Sequence, residues 1–167
     1  MASAESGDWQ GPMSREAFER NRNERQRLIL LVGKLTESDL KLPVHGDWTI
    51  AAKFAHIAFW DRFCLKVLER WSAQTSFRID LSDWYDDVLN DTVLVESLAL
   101  EPAIAAQQAI DAVTALDTRL DNLGDSDTER LIADAGDPNT DATWLLHRYR
   151  HRSLHLDEIE AALTRVP

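Results

Sequence analysis

Apolar side chains recur at helical spacing in four separate stretches of the chain, and each stretch predicts one amphipathic helix. The first helix is predicted from about residue 14 to 36, with Ser14 as its N-cap. The other three are predicted at about 48–73, 102–123 and 139–164. No segment keeps the strict alternation of apolar and polar residues that a half-buried strand requires. The pattern therefore predicts an all-α protein.

The segments between these helices indicate how the helices are arranged. Loops are predicted at 37–47, where Asp47 would cap the second helix, and at 125–138, after a helix stop at Gly124. Between residues 74 and 99 the periodicity weakens and acidic residues dominate, so we expect a long crossover. Four helices with one long connection between the second and third are typical of a four-helix bundle.

Composition limits the domain organisation to a single folded unit with a short tail. The first dozen residues are small and polar and include glycine and proline, so residues 1–12 are predicted to form a flexible N-terminal tail. The rest, 13–167, is expected to form one domain, because 167 residues is an ordinary size for a single hydrophobic core.

Charge and cysteine content exclude several classes of protein. The 18 Lys and Arg residues are outnumbered by 29 Asp and Glu, and a net charge of −11 argues against a nucleic-acid partner. No apolar run approaches the roughly 20 residues of a membrane helix, and the N-terminus lacks the pattern of a secretory signal. The single cysteine fits a reducing compartment. We therefore expect a cytoplasmic protein with a small-molecule substrate, no membrane contact, and exposed aromatic residues that would allow a homodimer.

Three of the five histidines lie four residues apart in the fourth predicted helix, at His147, His151 and His155. Residues at this spacing share a broad helical face, on which neighbours can touch. His151 and His155 border the apolar side, whereas His147 is rotated away from it. Two imidazoles one turn apart can reach a single ion, so His151 and His155 are the better candidates for a zinc-like site.

His56 strengthens this interpretation, because it lies on an apolar and aromatic stripe of the second predicted helix. An imidazole in such a place needs a hydrogen-bond partner or a metal, and for His56 alone a core histidine is the simpler alternative. Together with His151 and His155 on a facing helix, it completes a divalent-metal site of the kind that bundles build in their interior. Three histidines leave positions open for water or substrate, which is typical of catalytic zinc.

Two segments also resemble the signature regions of a known family. GDWTIAAKFAHIAFWDRF, at Gly46–Phe63, and HRSLHLDEIEAAL, at His151–Leu163, resemble the DinB-like superfamily. That group includes YfiT-like proteins and thiol-dependent enzymes related to mycothiol-dependent maleylpyruvate isomerase and bacillithiol transferases. The resemblance runs from Met13 onwards and implies a four-helix bundle that binds a divalent metal through one histidine on the second helix and an H-x-x-x-H pair on the fourth. These positions are His56, His151 and His155, and Trp48 also matches the motif.

Four residues near this predicted site are candidates for substrate binding. Arg148 and Arg152 flank His151 on the inward side of the helix. An inward guanidinium either forms an ion pair with an acid on a neighbouring helix or anchors a substrate carboxylate, and both alternatives stay open. Trp60, one turn beyond His56, is expected in the pocket wall, and His147 is expected to support the site or face the substrate.

Two further side chains have simpler interpretations. Cys64 is expected to be a small core residue, since no neighbouring cation in the sequence lowers its pKa. His45, in the loop before the second helix, is expected to be solvated or to line the mouth of the site.

The sequence thus favours a metal-dependent enzyme. With zinc or nickel as the ion, it would be a transferase or isomerase that uses a low-molecular-weight thiol, or a hydrolase. Its substrate would be a small electrophile, and the basic HRYRHR stretch that begins at His147 favours an anionic one. A non-enzymatic small-molecule-binding or stress-response bundle is the alternative. A metal-independent self-resistance hydrolase of the colibactin-protection type is another, although such a mechanism does not need three clustered imidazoles.

Overall fold

The computed structural model describes residues 16–73, 83–136 and 143–165, which form eight helices and one two-stranded ribbon. The helices are α1 (Glu16–Val32), α2 (Glu37–Leu40), α3 (Ile50–Ser72), α4 (Asp83–Leu98), α5 (Pro102–Asp121), α6 (Asp125–Gly136), α7 (Thr143–Leu146) and α8 (Arg148–Leu163). The strands are β1 (Pro43–His45) and β2 (Trp48–Thr49). The tail predicted at 1–12 and the predicted cap Ser14 lie outside the described residues.

Four long helices, α1, α3, α5 and α8, form the body of the fold. α3 packs most extensively against α5, α1 contacts α5 and α8, and α8 returns to α3. Each of these helices therefore has two neighbours in a closed arrangement, as in a four-helix bundle. The predicted all-α class is confirmed. No helix in the described ranges has both the length and the apolar character needed to cross a membrane.

The predicted loop at 37–47 contains regular structure. α2 begins with a capping box, in which the Thr36 side chain accepts from the Asp39 N–H and the Asp39 carboxylate accepts from the Thr36 N–H. β1 and β2 then pair antiparallel. The turn between them includes Gly46 at a φ of 50°, a conformation that glycine adopts without steric cost.

α3 begins at Ile50, three residues after Asp47, the cap that the sequence predicted. Its N-cap is Thr49, whose side chain accepts a hydrogen bond from the Ala52 N–H at 3.1 Å. Because Thr49 also belongs to β2, the ribbon leads directly into the helix that carries His56.

Two helices occupy segments that the sequence pattern predicted as a crossover and a loop. α4 lies within 74–99 and packs on the outside of the bundle against α3, burying Val93 and Ser97 but leaving Val95 72% exposed. α6 lies within 125–138, so the prediction of a loop in that segment is wrong. α6 buries a single stripe, formed by Thr128, Leu131 and Ala135. Both helices lie outside the body of four long helices.

The fourth predicted helix is interrupted at His147, which separates α7 from α8 with a φ of −97° and a ψ of 39°. Asn21 of α1 bonds to both sides of this break. Its Nδ2 donates to the Leu146 carbonyl at 2.9 Å, and the Tyr149 N–H donates to its Oδ1 at 2.7 Å. The side chain of Asn21 therefore replaces hydrogen bonds that a continuous helix would supply.

We expect Asn21→Ala to lower the free energy of unfolding by about 2 kcal/mol, because it leaves a buried carbonyl and a partly buried N–H without partners. Urea unfolding followed by circular dichroism measures the change. Asn23→Ala, at an exposed position on the same helix, is the matched control and should stay within about 0.5 kcal/mol of the wild type. Equal effects of the two variants would contradict the bridging role of Asn21.

The core consists of two apolar clusters with buried polar side chains at their border. One cluster joins α1, α2, the ribbon and the first half of α3 to α5 and the end of α8. The other joins the start of α1 and the second half of α3 to α5, α6 and α7. The polar side chains at the border are Asn21, Asp61, Asp117, Arg148 and Arg152.

Candidate metal centre

Three histidines from two facing helices converge at one point of the bundle. His56 lies in the first half of α3, while His151 and His155 lie one turn apart on α8. The Nε2 atoms of His56 and His151 are 3.1 Å apart, and those of His151 and His155 are 3.2 Å apart. The structure therefore brings together the three residues that the sequence singled out as metal ligands.

The separation of these imidazoles suits one divalent ion. Ring nitrogens that bind one zinc at ~2.1 Å in tetrahedral geometry lie about 3.4 Å apart. Each histidine offers a ring nitrogen, and the three nitrogens lie within 4.8 Å of one another. His56 and His155 are buried and His151 is half-buried, so the site is largely shielded from water but keeps one partly exposed member.

The same surroundings keep the imidazoles neutral, which is the form that binds a metal. Burial, together with His155 and Lys53, lowers the pKa of His56 to about 2. Burial and the Arg148 guanidinium lower the pKa of His151 well below its usual value. The pKa of His155 is also lowered by burial, although Glu158 opposes that shift.

His56 has one ring nitrogen that the surrounding protein leaves unpaired. Its Nδ1 is buried and has no hydrogen-bond partner among the residues that the structure describes. A buried polar atom without a partner costs about 1–3 kcal/mol, and such atoms are uncommon outside functional sites. An ion held at Nε2 would leave this atom unpaired as well, so the metal site is supported by the convergence of the Nε2 atoms and not by His56 Nδ1.

His155 is oriented by a carboxylate. Its Nδ1 lies 2.8 Å from Glu158 Oε2, and Lys53 Nζ contacts the same oxygen at 2.8 Å. Burial raises the pKa of Glu158, but the hydrogen bonds from His155 and Lys53 outweigh it and hold that pKa at about 2. Glu158 is therefore ionised and accepts a hydrogen bond from the Nδ1–H of His155. The lone pair of His155 Nε2 then faces the other histidines.

His151 is held by a cation instead. Arg148 Nη2 lies 2.8 Å from His151 Nδ1, and Arg148 Nε donates to Asp61 Oδ1 at 2.9 Å. A guanidinium can only donate, so the ring hydrogen of neutral His151 lies on Nε2, between His56 and His155. For His151 to bind an ion through Nε2, this hydrogen would have to move to Nδ1, which faces the Arg148 guanidinium. Ion binding would therefore weaken the contact between Arg148 and His151.

Arg152 forms the ion pair that the sequence left open as one of two alternatives. It is fully buried, and each of its three guanidinium nitrogens has a protein partner. Nε donates to Asp61 at 2.7 Å, Nη2 and Nη1 donate to the two oxygens of Asp117 at 2.8 and 3.1 Å, and Nη1 also donates to the Asn21 carbonyl. These contacts tie α8 to α1, α3 and α5 and leave no guanidinium nitrogen for a substrate.

Two indole rings flank the histidines. The Trp48 ring lies 5.3 Å from His56, and the Trp60 ring lies 6.4 Å from both His56 and His151. Trp60 is 7% exposed, and its Nε1 donates to Asn90 Oδ1 on α4 at 3.0 Å. The structure thus places Trp60 next to the trio, while its contact with a substrate stays a prediction.

A comparison with protein-family models now identifies the family, since the model described as the DinB superfamily matches residues 20–159. The chain belongs to the DinB superfamily. Metal binding is a known property of this superfamily, and all three histidines lie within the matched range. Searches of curated proteins and of solved structures gave no significant match.

Two other histidines of this DinB protein lie outside the trio. His147 is buried at the break before α8, 5.7 Å from the Tyr149 ring, and burial together with Arg150 and Arg20 lowers its pKa. His45 is exposed and lies 3.8 Å from Glu158, near the edge of the site.

Cys64 is a core residue, as the sequence predicted. It is fully buried among apolar side chains of the second cluster. Burial raises the pKa of its thiol to about 12, so it does not supply a reactive thiolate.

Sequence reasoning missed three charged residues that support the site of this DinB protein. Lys53 precedes His56 by three residues and Glu158 follows His155 by three, so each lies one helical turn from a histidine on the same face. Asp61 is a single acid within the apolar stretch of α3. A search for charged residues one turn from each histidine would have found Lys53 and Glu158.

Proposed function

We propose that this DinB protein is a divalent-metal-dependent enzyme whose ion is held by His56, His151 and His155. Its reaction would be a transfer or isomerisation that uses a low-molecular-weight thiol, or a hydrolysis, on a small electrophilic substrate. Zinc and nickel are the ions that suit three imidazole ligands. A thiol cosubstrate and the unpaired Cys64 both fit a reducing, cytoplasmic setting.

The observation that carries the proposal is the convergence of three neutral imidazoles from two helices. Their Nε2 atoms meet at 3.1 and 3.2 Å in a place where burial disfavours protonation. Three histidine ligands leave at least one position of a tetrahedral ion for another molecule, which is the arrangement of catalytic sites. Membership of a superfamily that binds metals supports the same function.

A divalent ion at this position would supply a nucleophile at neutral pH by lowering the pKa of a thiol or a water molecule. The protein side of the site has two tasks. Glu158 orients His155, and the indole of Trp60 limits access of water. Arg148 is the proposed contact for a substrate carboxylate, since Arg152 is saturated.

The test combines elemental analysis with a transfer assay. Native protein should contain about one divalent ion per chain, and an electrophile should be consumed with bacillithiol, mycothiol or glutathione as cosubstrate. His151→Ala should lose both the ion and the activity. His45→Ala, an exposed histidine outside the trio, is the matched control and should keep both.

Two outcomes would contradict the proposal. One is folded wild-type protein that binds neither zinc nor nickel at micromolar concentration. The other is metal removal that changes stability alone, without effect on any thiol transfer or hydrolysis; this would favour the non-enzymatic binding bundle.

A further inference from the structure

Lys53, which is buried, and Glu158, which is half-buried, form an ion pair directly beside the trio, on the same two helices that carry the histidines. Lys53 Nζ lies 2.8 Å from Glu158 Oε2, and the Lys53 side chain is only 5% exposed. Lys53 lies one turn before His56 on α3, and Glu158 lies one turn after His155 on α8. The pair therefore joins the two helices next to the place where their histidines meet.

Both charges of this pair have a second partner. Lys53 Nζ lies 4.8 Å from the centre of the Trp48 ring, within the range of a cation–π interaction. Glu158 Oε2 accepts from His155 Nδ1 at 2.8 Å. One carboxylate oxygen thus contacts both the ammonium and the imidazole, and the position of the ammonium fixes the position of the carboxylate.

The other two histidines lack such a carboxylate. His151 Nδ1 faces the Arg148 guanidinium, and His56 Nδ1 has no hydrogen-bond partner in the described ranges. His155 is therefore the member of the trio whose ring orientation and tautomer a carboxylate sets. An acceptor at the second nitrogen of a metal-binding histidine fixes the tautomer and raises the basicity of the ligand.

We propose that Glu158, held by Lys53, is a positioning residue that keeps the hydrogen of His155 on Nδ1 and directs the Nε2 lone pair into the site. This role rests on the proposed function only for its effect on metal affinity. The orientation of His155 itself is a property of the metal-free protein and can be measured there.

The first measurement is the tautomer of His155 in metal-free protein, from long-range ¹H–¹⁵N correlation spectra of ¹⁵N-histidine-labelled samples. Wild type should show the Nδ1–H form. Glu158→Ala should show a mixture of both tautomers, and Glu158→Gln should keep the wild-type form because its amide oxygen still accepts. Glu160→Ala, which removes an ion pair with Arg27 on the outer face of the same helix, is the matched control and should have no effect.

The second measurement is zinc affinity by competition with a chromophoric chelator. Glu158→Ala should weaken binding by about 10- to 100-fold, and Glu158→Gln should recover most of the loss. If Glu158→Ala does not fold, the double variant Lys53→Met/Glu158→Ala removes the unpaired ammonium and serves in both measurements.

An unchanged His155 tautomer in the alanine variant would overturn the inference, whatever the metal result. If Glu158→Ala binds zinc as tightly as the wild type does, the proposed effect of Glu158 on metal affinity is wrong. A wild-type protein that binds no zinc would contradict the proposed function, while the tautomer measurement would still decide the role of Glu158.

Discussion

Arg152→Leu is expected to lower the free energy of unfolding by about 3–5 kcal/mol, the range for breaking a buried ion pair by removing one partner. The guanidinium is fully buried and contacts both Asp61 and Asp117. Asp61 keeps Arg148 at 2.9 Å, but among the cations that the structure describes Asp117 would retain only Arg25, at 3.6 Å. The loss should therefore arise mainly from the buried Asp117 carboxylate, and chemical unfolding of the metal-free protein measures it.

A compensating substitution separates this cause from a loss of packing. Arg152→Leu/Asp117→Asn removes the charge that the single variant leaves unpaired, so it should recover part of the lost stability. Arg22→Leu is the control, because Arg22 pairs with Asp121 at 2.6 Å but on the exposed surface. Such exposed pairs contribute about 0–1 kcal/mol. A similar cost for Arg22→Leu and Arg152→Leu would show that burial of the network does not matter.

The metal-free protein is expected to lose stability steeply as the pH falls below about 6.5, the pKa of histidine in an unfolded chain. Burial lowers the pKa values of His56, His151 and His155 in the folded state. Below pH 6.5 the unfolded chain therefore binds protons that the folded trio does not accept, and unfolding becomes more favourable. Each histidine contributes up to about 1.4 kcal/mol per pH unit, so the trio contributes up to about 4 kcal/mol per pH unit.

Urea unfolding at a series of pH values between 7 and 5, in the presence of a chelator, measures this slope. His56→Leu removes one of the three groups, so its slope should be smaller by about 1.4 kcal/mol per pH unit. A wild-type slope close to zero would mean that the folded trio takes up protons as readily as the unfolded chain does.

The sequence pattern predicted the four long helices well, because each buries a continuous stripe against two neighbours. It failed for α4, which lies on the outside of the bundle against α3. α4 buries Val93 and Ser97 while Val95 stays exposed, so its pattern resembles that of a solvated segment. The break at His147 could not be predicted locally, because Asn21, which stabilises it, is 125 positions away from its partner Leu146.

The candidate site was predictable to the level of its histidines. Helical spacing selected His151 and His155, and the apolar face of its helix selected His56. The contacts of Glu158 and Lys53 depend on the relative height of α3 and α8 in the bundle, which no local pattern specifies. The sequence could not distinguish Arg148 from Arg152 for the same reason, since their partners also depend on how the helices pack. In the structure Arg148 contacts His151, whereas Arg152 contacts Asp61 and Asp117.

The interruption at His147 makes the rotation of α8 about its axis independent of the chain that precedes it. In an unbroken helix, one inserted residue turns everything beyond it by ~100° relative to what lies before. Here the helix starts anew at Arg148, where Asn21 holds the Tyr149 N–H in place. An inserted or deleted residue within α7 would therefore leave His151 and His155 facing His56.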